Sequence, residues 1–316
     1  MERGTSAVTR KVEDGRFPGE SMERGVVELD ELGPFDLQST VESGQSYLWT
    51  RSDGRMYEGS GAYGGDAWYE TTARVDGDPV VVRARQVDDR LEWESSVDAA
   101  PILRERLRLD DDLPAIRATA VDDDIVQTAY DAYWGMHLVR DPPFPTLISF
   151  ICSAQMRVAR IHGMQRELER AFGSTVEFDG RTYHAFPTAE QLAEATEAEL
   201  RDLGLGYRAP YVRDTARMVA SGEARPEEAA GLDYEDARES LTRFVGVGDK
   251  VADCVALFAL DYLEAVPLDT WIRTTIEEYY PDCDRGNYAE TSRAIRAAFG
   301  GEFAGYTQTY VFHYLR

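Results

Sequence analysis

Lysine is nearly missing from this chain: of 34 basic residues, only Lys11 and Lys250 are lysines. Cysteine is scarce as well. Cys152, Cys254 and Cys283 stand far apart, odd in number and never as C-x-x-C. That argues against a disulfide framework, a zinc ribbon or a four-cysteine iron–sulfur cluster. Four histidines, none at H-x-x-x-H spacing, give a metal site little to build on. No apolar run approaches membrane-spanning length. The stretch 1–23 is charged and lacks the short apolar core of a secretory signal. The chain therefore reads as a soluble, cytoplasmic protein with no membrane partner, led by a flexible segment over residues 1–23.

What is abundant is acid. Fifty-eight acidic residues against 34 basic ones give a formal charge of −24, which repels polyanions at long range. An acidic surface starved of lysine suits a halophilic setting, where molar salt shrinks the Debye length to roughly 3 Å and leaves local contacts to decide binding. An acid-rich interaction protein is the plainer explanation of the same composition. Three windows carry no acid at all: Thr146–Arg166, Leu203–Arg213 and Phe303–Arg316. Each is either a face for a phosphate backbone or a buried apolar segment.

The first third reads as strands. Aromatic and β-branched runs at Tyr47–Thr50, Ala67–Val75, Pro79–Val87 and Arg90–Glu94 are separated by Asp53-Gly54, Asp76-Gly77 and Asp88-Asp89, a pattern for an antiparallel meander. From about Leu113 the period becomes helical. Leu147, Ile151, Ala154, Val158 and Ile161 form a helical stripe, with a break allowed near Ser153–Arg157. Further helices are predicted at about 188–203, 208–221, 234–244, 250–262, 270–280 and 288–299. The expected fold class is α+β: an antiparallel β-rich domain over 24–115, then an all-helical domain over 116–316.

Between two of the predicted helices lies Phe244-Val245-Gly246-Val247-Gly248-Asp249-Lys250. Two glycines at i and i+2 allow a tight hairpin whose N–H groups, with the next helix N-terminus, suit a phosphate oxygen. An ordinary helix–helix turn would look the same. Lys250 then occupies the first turn of a helix, where the macrodipole opposes a cation and favours the free amine that a nucleophile needs. Nineteen residues on, Asp269 follows Pro267 and precedes the 270–280 helix. Its plain role is an N-cap. Beside Lys250, it can also stabilise positive charge on a sugar.

The stretch Phe244–Tyr280 resembles the hairpin and catalytic segment of the helix-hairpin-helix DNA glycosylase superfamily, in particular the eukaryotic-type 8-oxoguanine DNA glycosylase/AP lyase. The resemblance extends to Gly44-Gln45-Ser46-Tyr47-Leu48-Trp49, Ser149-Phe150-Ile151-Cys152-Ser153, Ala159-Arg160-Ile161 and Leu203-Gly204-Leu205-Gly206-Tyr207-Arg208. It ends with Gly305-Tyr306-Thr307-Gln308 and Phe312, so it spans residues 40 to 316 in the family's order.

The resemblance implies the following roles. Lys250 is the nucleophile and Asp269 its catalytic partner. Gly44, Cys254, Phe258, Gln308 and Phe312 line a pocket for the flipped base, with the Gly44 carbonyl accepting from the N7–H that 8-oxoguanine has and guanine lacks. Cys254, Phe258 and Phe312 are equally explained as core. Gln155, Tyr207 and Arg208 fill the space left in the duplex, Arg160 joins Arg208 on the orphaned base, and Gly246, Val247 and Gly248 hold phosphate. The implied partner is double-stranded DNA with an oxidised base, met by a monomer. No cofactor is implied beyond a monovalent cation that the hairpin could hold. Three departures from the family pattern stand out: Val245 replaces a proline, Trp271 a histidine, and Gln155-Met156 an asparagine pair. Rival readings are a glycosylase for an alkylated purine, which would not need Lys250, and a non-catalytic DNA-binding module, which would need neither Lys250 nor Asp269.

Overall fold

The computed structural model describes residues 22–58 and 62–315. Most of the 1–23 segment therefore lies outside the described residues. Its end does not: Glu23 opens strand β1 (Glu23–Glu28), which the strand pattern alone had not indicated. Helix α1 (Leu37–Glu42) follows, capped by the Asp36 side chain accepting from Ser39 N–H. Strands β2 (Thr50–Arg51), β3 (Tyr69–Val75), β4 (Asp78–Val87) and β5 (Arg90–Ser95) complete an antiparallel sheet in the order β1-β5-β4-β3-β2. Asp76 and Gly77 both take positive φ, +52° and +91°, as the two-residue turn joining β3 to β4 requires. The predicted strand at Tyr47–Thr50 is displaced. Tyr47, Leu48 and Trp49 are buried coil, and β2 starts only at Thr50.

Helix α2 (Ala100–Arg106) closes this first unit. Its core, from Val27 to Leu109, holds Trp49, Tyr69 and Trp93 with almost no exposure. A second core joins Tyr47 and Leu48 to residues from Leu113 to Val311 and gathers helices α3 (Leu113–Thr119), α4 (Asp124–Ala132), α5 (Pro143–Cys152) and α6 (Val158–Phe172). The break between α5 and α6 falls at Ser153–Arg157, where Gln155 adopts φ +56°.

The second unit is helical with one exception. After α6 come two strands, β6 (Thr175–Phe178) and β7 (Arg181–His184), joined by Asp179 and Gly180 at φ +51° and +67°. An all-helical domain was expected, so this hairpin corrects that reading. The Asp-Gly pair at its tip was the available signal. The hairpin docks on the first sheet: Arg83 Nη1 donates to Asp179 at 2.9 Å, and Arg181 Nη1 donates to Glu70 at 2.7 Å. The predicted 188–203 helix is two, α7 (Ala189–Ala193) and α8 (Glu197–Asp202). Thr188 and Thr196 each open one with a capping box. Then follow α9 (Ala209–Ser221), α10 (Tyr234–Leu241), α11 (Asp249–Ala259), α12 (Thr270–Tyr279), α13 (Tyr288–Ala298) and α14 (Ala304–Leu315).

One close approach brings α14 to α11. Gly305, in the first turn of α14, donates its N–H to Leu263 O at 2.8 Å. A Cβ there would lie 2.4 Å from Leu257 Cδ1 and 2.7 Å from Leu263 O. Backbone cannot yield as a flexible side chain does. Gly305→Ala is expected to destabilise the protein by about 1–3 kcal/mol, read as a lower urea midpoint; an unchanged midpoint would contradict this packing.

Candidate active site

The glycine hairpin sets where α11 begins. Gly246 has φ +83°, and a Cβ on it would meet the Tyr211 Cβ at 2.7 Å. Thr215 Oγ1 donates to the Val245 carbonyl at 2.9 Å, so α9 anchors the turn from its own side. Val247 is buried, and Gly248 precedes α11 with no side-chain cap. The first-turn N–H groups of α11 are thus left without a side-chain acceptor, the arrangement that suits an anion.

Lys250 lies in that first turn, half-buried. Its Nζ donates to Ser153 Oγ at 2.9 Å, and Ser153 Oγ in turn donates to the Phe150 carbonyl at 2.7 Å. The ammonium also sits 5.3 Å from the centre of the Phe150 ring, close enough for cation–π attraction. Asp269 caps α12, accepting from Ile272 N–H at 2.8 Å. The capping role and a place beside Lys250 coexist, since both residues line the same cavity of about 110 Å³.

Gly44, Cys254, Phe258 and Phe312 line that cavity too. The Gly44 backbone is held at φ +96°. Next to it the Gln45 side chain is buried and fully engaged: Nε2 donates to Thr40 O and His137 O, each at 2.8 Å, and Oε1 accepts from Val139 N–H at 2.9 Å. Ser46 donates to the buried Asp141, whose own N–H reaches Phe258 O at 2.8 Å. The coil from Gly44 to Trp49 is thereby threaded from the sheet unit into the helical core. Phe258 stacks on Phe150 with centroids 5.6 Å apart, and Trp271 meets Phe312 edge-on at 5.7 Å. Burial pushes the Cys254 thiol up to about 12, with Lys250 opposing the shift and Asp269 adding to it. Both charges therefore face this thiol.

Gln308 departs from expectation. It is buried on α14, its Oε1 has no hydrogen-bond partner, and Thr309 and Phe312 line the cavity from that helix in its place. Reasoning from sequence assigned no role to Ser153 or Thr309, and singled out Met156 only as a departure from the family pattern. Ser153 stands 97 residues from Lys250, so no local spacing could have paired them.

The cavity opens into a groove of about 800 Å³ that also exposes Lys250 and Asp269, with Arg157, Trp271, Arg273 and Tyr279 on its walls. Gln155 is exposed on the groove wall, Arg160 is exposed beside Gly204, and Tyr207 is 53% exposed. Arg208 is not: it is buried, donates to Ala154 O, and lies 4.3 Å over the Tyr207 ring. Burial explains the acid-free stretches over α5 and α14, whereas Gln155, Arg157 and Arg160 of the first window and Gly206, Tyr207 and Tyr211 of the second are exposed. Eight of ten residues in α5 and eight of twelve in α14 are buried, and Arg213 pairs with Asp214 at 2.7 Å. Among the described residues there is no cluster of three or more His, Cys, Asp or Glu able to hold a metal ion, and no helix is long and apolar enough to cross a membrane.

Residues 148–299 match the family model for HhH-GPD superfamily base excision DNA repair proteins. A probable N-glycosylase/DNA lyase of Methanothermobacter thermautotrophicus is 31% identical over 309 residues, covering 90% of this chain and 95% of that protein. The N-glycosylase/DNA lyase of Saccharomyces cerevisiae is 38% identical over 171 residues, 50% of this chain and 46% of that protein. Among solved structures, Clostridium acetobutylicum 8-oxoguanine glycosylase/lyase, in complex with double-stranded DNA containing cytosine opposite 8-oxoguanine, superposes with a TM-score of 0.80. It is 25% identical, over 98% of this chain and 97% of that one. The chain belongs to the HhH-GPD superfamily of base excision DNA repair proteins, within its N-glycosylase/DNA lyase family.

Proposed function

We propose that this chain removes 8-oxoguanine from double-stranded DNA and then nicks the strand, with Lys250 as nucleophile. The observation that carries the reading is the meeting of Lys250, Asp269, Gly44, Cys254 and Phe312 around one cavity. An enzyme acting on a base must take it out of the stack and hold it between apolar or aromatic groups. Cys254, Phe258 and Phe312 supply such walls, and the Gly44 carbonyl is the acceptor for N7–H of the lesion. Gln308, with its amide oxygen unengaged, reads the Watson–Crick edge once α14 adjusts to the base. Gly246, Val247 and Gly248 bind a backbone phosphate at the start of α11, and the hairpin carbonyls can hold a monovalent cation. Gln155 and Tyr207 fill the vacated stack. Arg208 must leave Ala154 O before it can join Arg160 on the orphaned base.

In the reaction, the neutral Lys250 amine attacks C1′ while the C1′–N9 bond breaks and its electron pair leaves with the base. Asp269 stabilises the cationic sugar as it develops. Ring opening gives a Schiff base between Nζ and C1′. Loss of a C2′ proton then expels the 3′-phosphate. The enzyme works as an intracellular monomer; the two hydrophobic cores support a division near residue 115, with 24–115 as the β-rich unit and 116–316 as the helical one.

An incision assay on duplexes carrying 8-oxoguanine opposite each base tests the substrate; equal cutting of undamaged guanine overturns it. Lys250→Gln is expected to abolish borohydride trapping of a covalent DNA adduct, and normal trapping in that variant would refute the nucleophile. Asp269→Asn should slow base release on the order of a hundredfold with DNA affinity within a few-fold of the parent.

We further propose that the chain is built for high salt. Its charge of −24 self-repels across about 10 Å at 0.1 M salt but only about 3 Å at 1 M. The thermal midpoint should accordingly rise between about 0.1 and 1 M KCl; a flat or falling midpoint contradicts the halophilic reading.

A further inference from the structure

A buried polar chain runs from the helix that carries Lys250 to the loop that carries Asp269. Asp253 lies on α11 one turn past Lys250 and is fully buried. Its Oδ1 accepts from the Tyr234 hydroxyl at 2.6 Å and its Oδ2 from the Tyr288 hydroxyl at 2.7 Å. The Tyr288 oxygen is itself an acceptor, for the Leu268 N–H at 3.1 Å. Leu268 immediately precedes Asp269, and the residue before it, Pro267, has no N–H to give. Asp269 closes a tight turn by donating its own N–H to Pro267 O at 3.1 Å, and caps α12 with its side chain.

We propose that Tyr288, oriented by Asp253, is a positioning residue that fixes Asp269 relative to Lys250. The inference rests on the assignment of those two residues above. Three features support it. A buried carboxylate is an expensive way to fill space, and burial pushes Asp253 up to about 7 despite the two tyrosines and Arg238. The Arg238 guanidinium does not take over the carboxylate's pairing: its Nη1 is buried without a partner, and its Nε lies 3.9 Å from Asp249. Finally, the hydroxyl of Tyr288 is used twice, once toward each catalytic element. Without it the buried Leu268 N–H loses the acceptor that ties its loop to α11.

Tyr234 provides the control. Its hydroxyl bonds the other oxygen of the same carboxylate, whereas the Leu268 N–H goes to Tyr288. Both substitutions keep the ring and remove a hydrogen bond to Asp253, but Tyr288→Phe also orphans the Leu268 N–H, so its thermal midpoint should fall further than that of Tyr234→Phe. Single-turnover base release from an 8-oxoguanine duplex is expected to fall about tenfold in Tyr288→Phe and to stay within about twofold in Tyr234→Phe. Duplex affinity, and borohydride trapping on a preformed abasic site, should stay within about twofold in both, since Lys250 itself is not displaced. Wild-type base release in Tyr288→Phe, or equal slowing in the two variants, overturns the positioning role. Asp269→Asn run alongside separates the two levels: if it slows base release while Tyr288→Phe does not, the positioning role alone fails. If Asp269→Asn releases base at the parent rate, the assignment beneath it fails as well.

Discussion

A buried carboxamide must pair all of its polar groups or forfeit about 1–3 kcal/mol for each one left unmade. Gln45 meets that demand with three hydrogen bonds, to Thr40, His137 and Val139, so it belongs to both units of the molecule at once. Its neighbours inherit the constraint. Gly44 is held on the cavity wall, and Ser46 bonds Asp141, which is backbone-linked to Phe258 on the opposite wall. Tyr47 and Leu48 pack into the helical core although they precede the second strand of the sheet. A pocket made from residues more than 200 positions apart depends on this one segment being unable to relax.

That segment also marks the limit of what could be read from sequence. Helices with strong period and clear ends were legible. The 208–221, 250–262 and 270–280 predictions lie close to α9, α11 and α12 because glycines, Pro210 and Asp269 mark their boundaries. Tyr47–Thr50 misled because aromatic residues were taken to signal a pleated surface, whereas here they are buried coil and the hydrogen bonds of the segment go to side chains. The β6–β7 hairpin was overlooked for the opposite reason. Its strands are short and polar, and they are stabilised by ion pairs to Glu70 and Arg83 that no local pattern contains.

The charge of the molecule divides along similar lines. Its arginines are largely committed: Arg83 joins Glu94 and Asp179, Arg108 joins Asp111 and Asp261, and Arg213 joins Glu197 and Asp214. Burial of α5 and α14 accounts for part of the acid-free windows, and their exposed remainder lies around Gln155, Arg157, Arg160 and Tyr207. What remains for a polyanion is local: the uncapped N-terminus of α11, with Arg157 and Arg273 along the groove. Such a footprint is small, and it fits a protein whose long-range field opposes DNA.

The contact between Lys250 and Ser153 constrains how the amine can act. Ser153 has one proton, and the structure commits it to the Phe150 carbonyl. Toward Lys250 the hydroxyl can therefore only accept. This arrangement holds the ammonium while charged, and it offers the free amine no donor that would occupy its lone pair. Ser153 therefore leaves that lone pair free, and the Cys254 thiol, kept protonated by burial and also hydrogen-bonded to Lys250, is the donor that remains. A serine whose proton was free to turn toward Nζ would compete with the substrate for that lone pair. The Phe150 carbonyl is thus what turns the Ser153 proton away from the Lys250 amine.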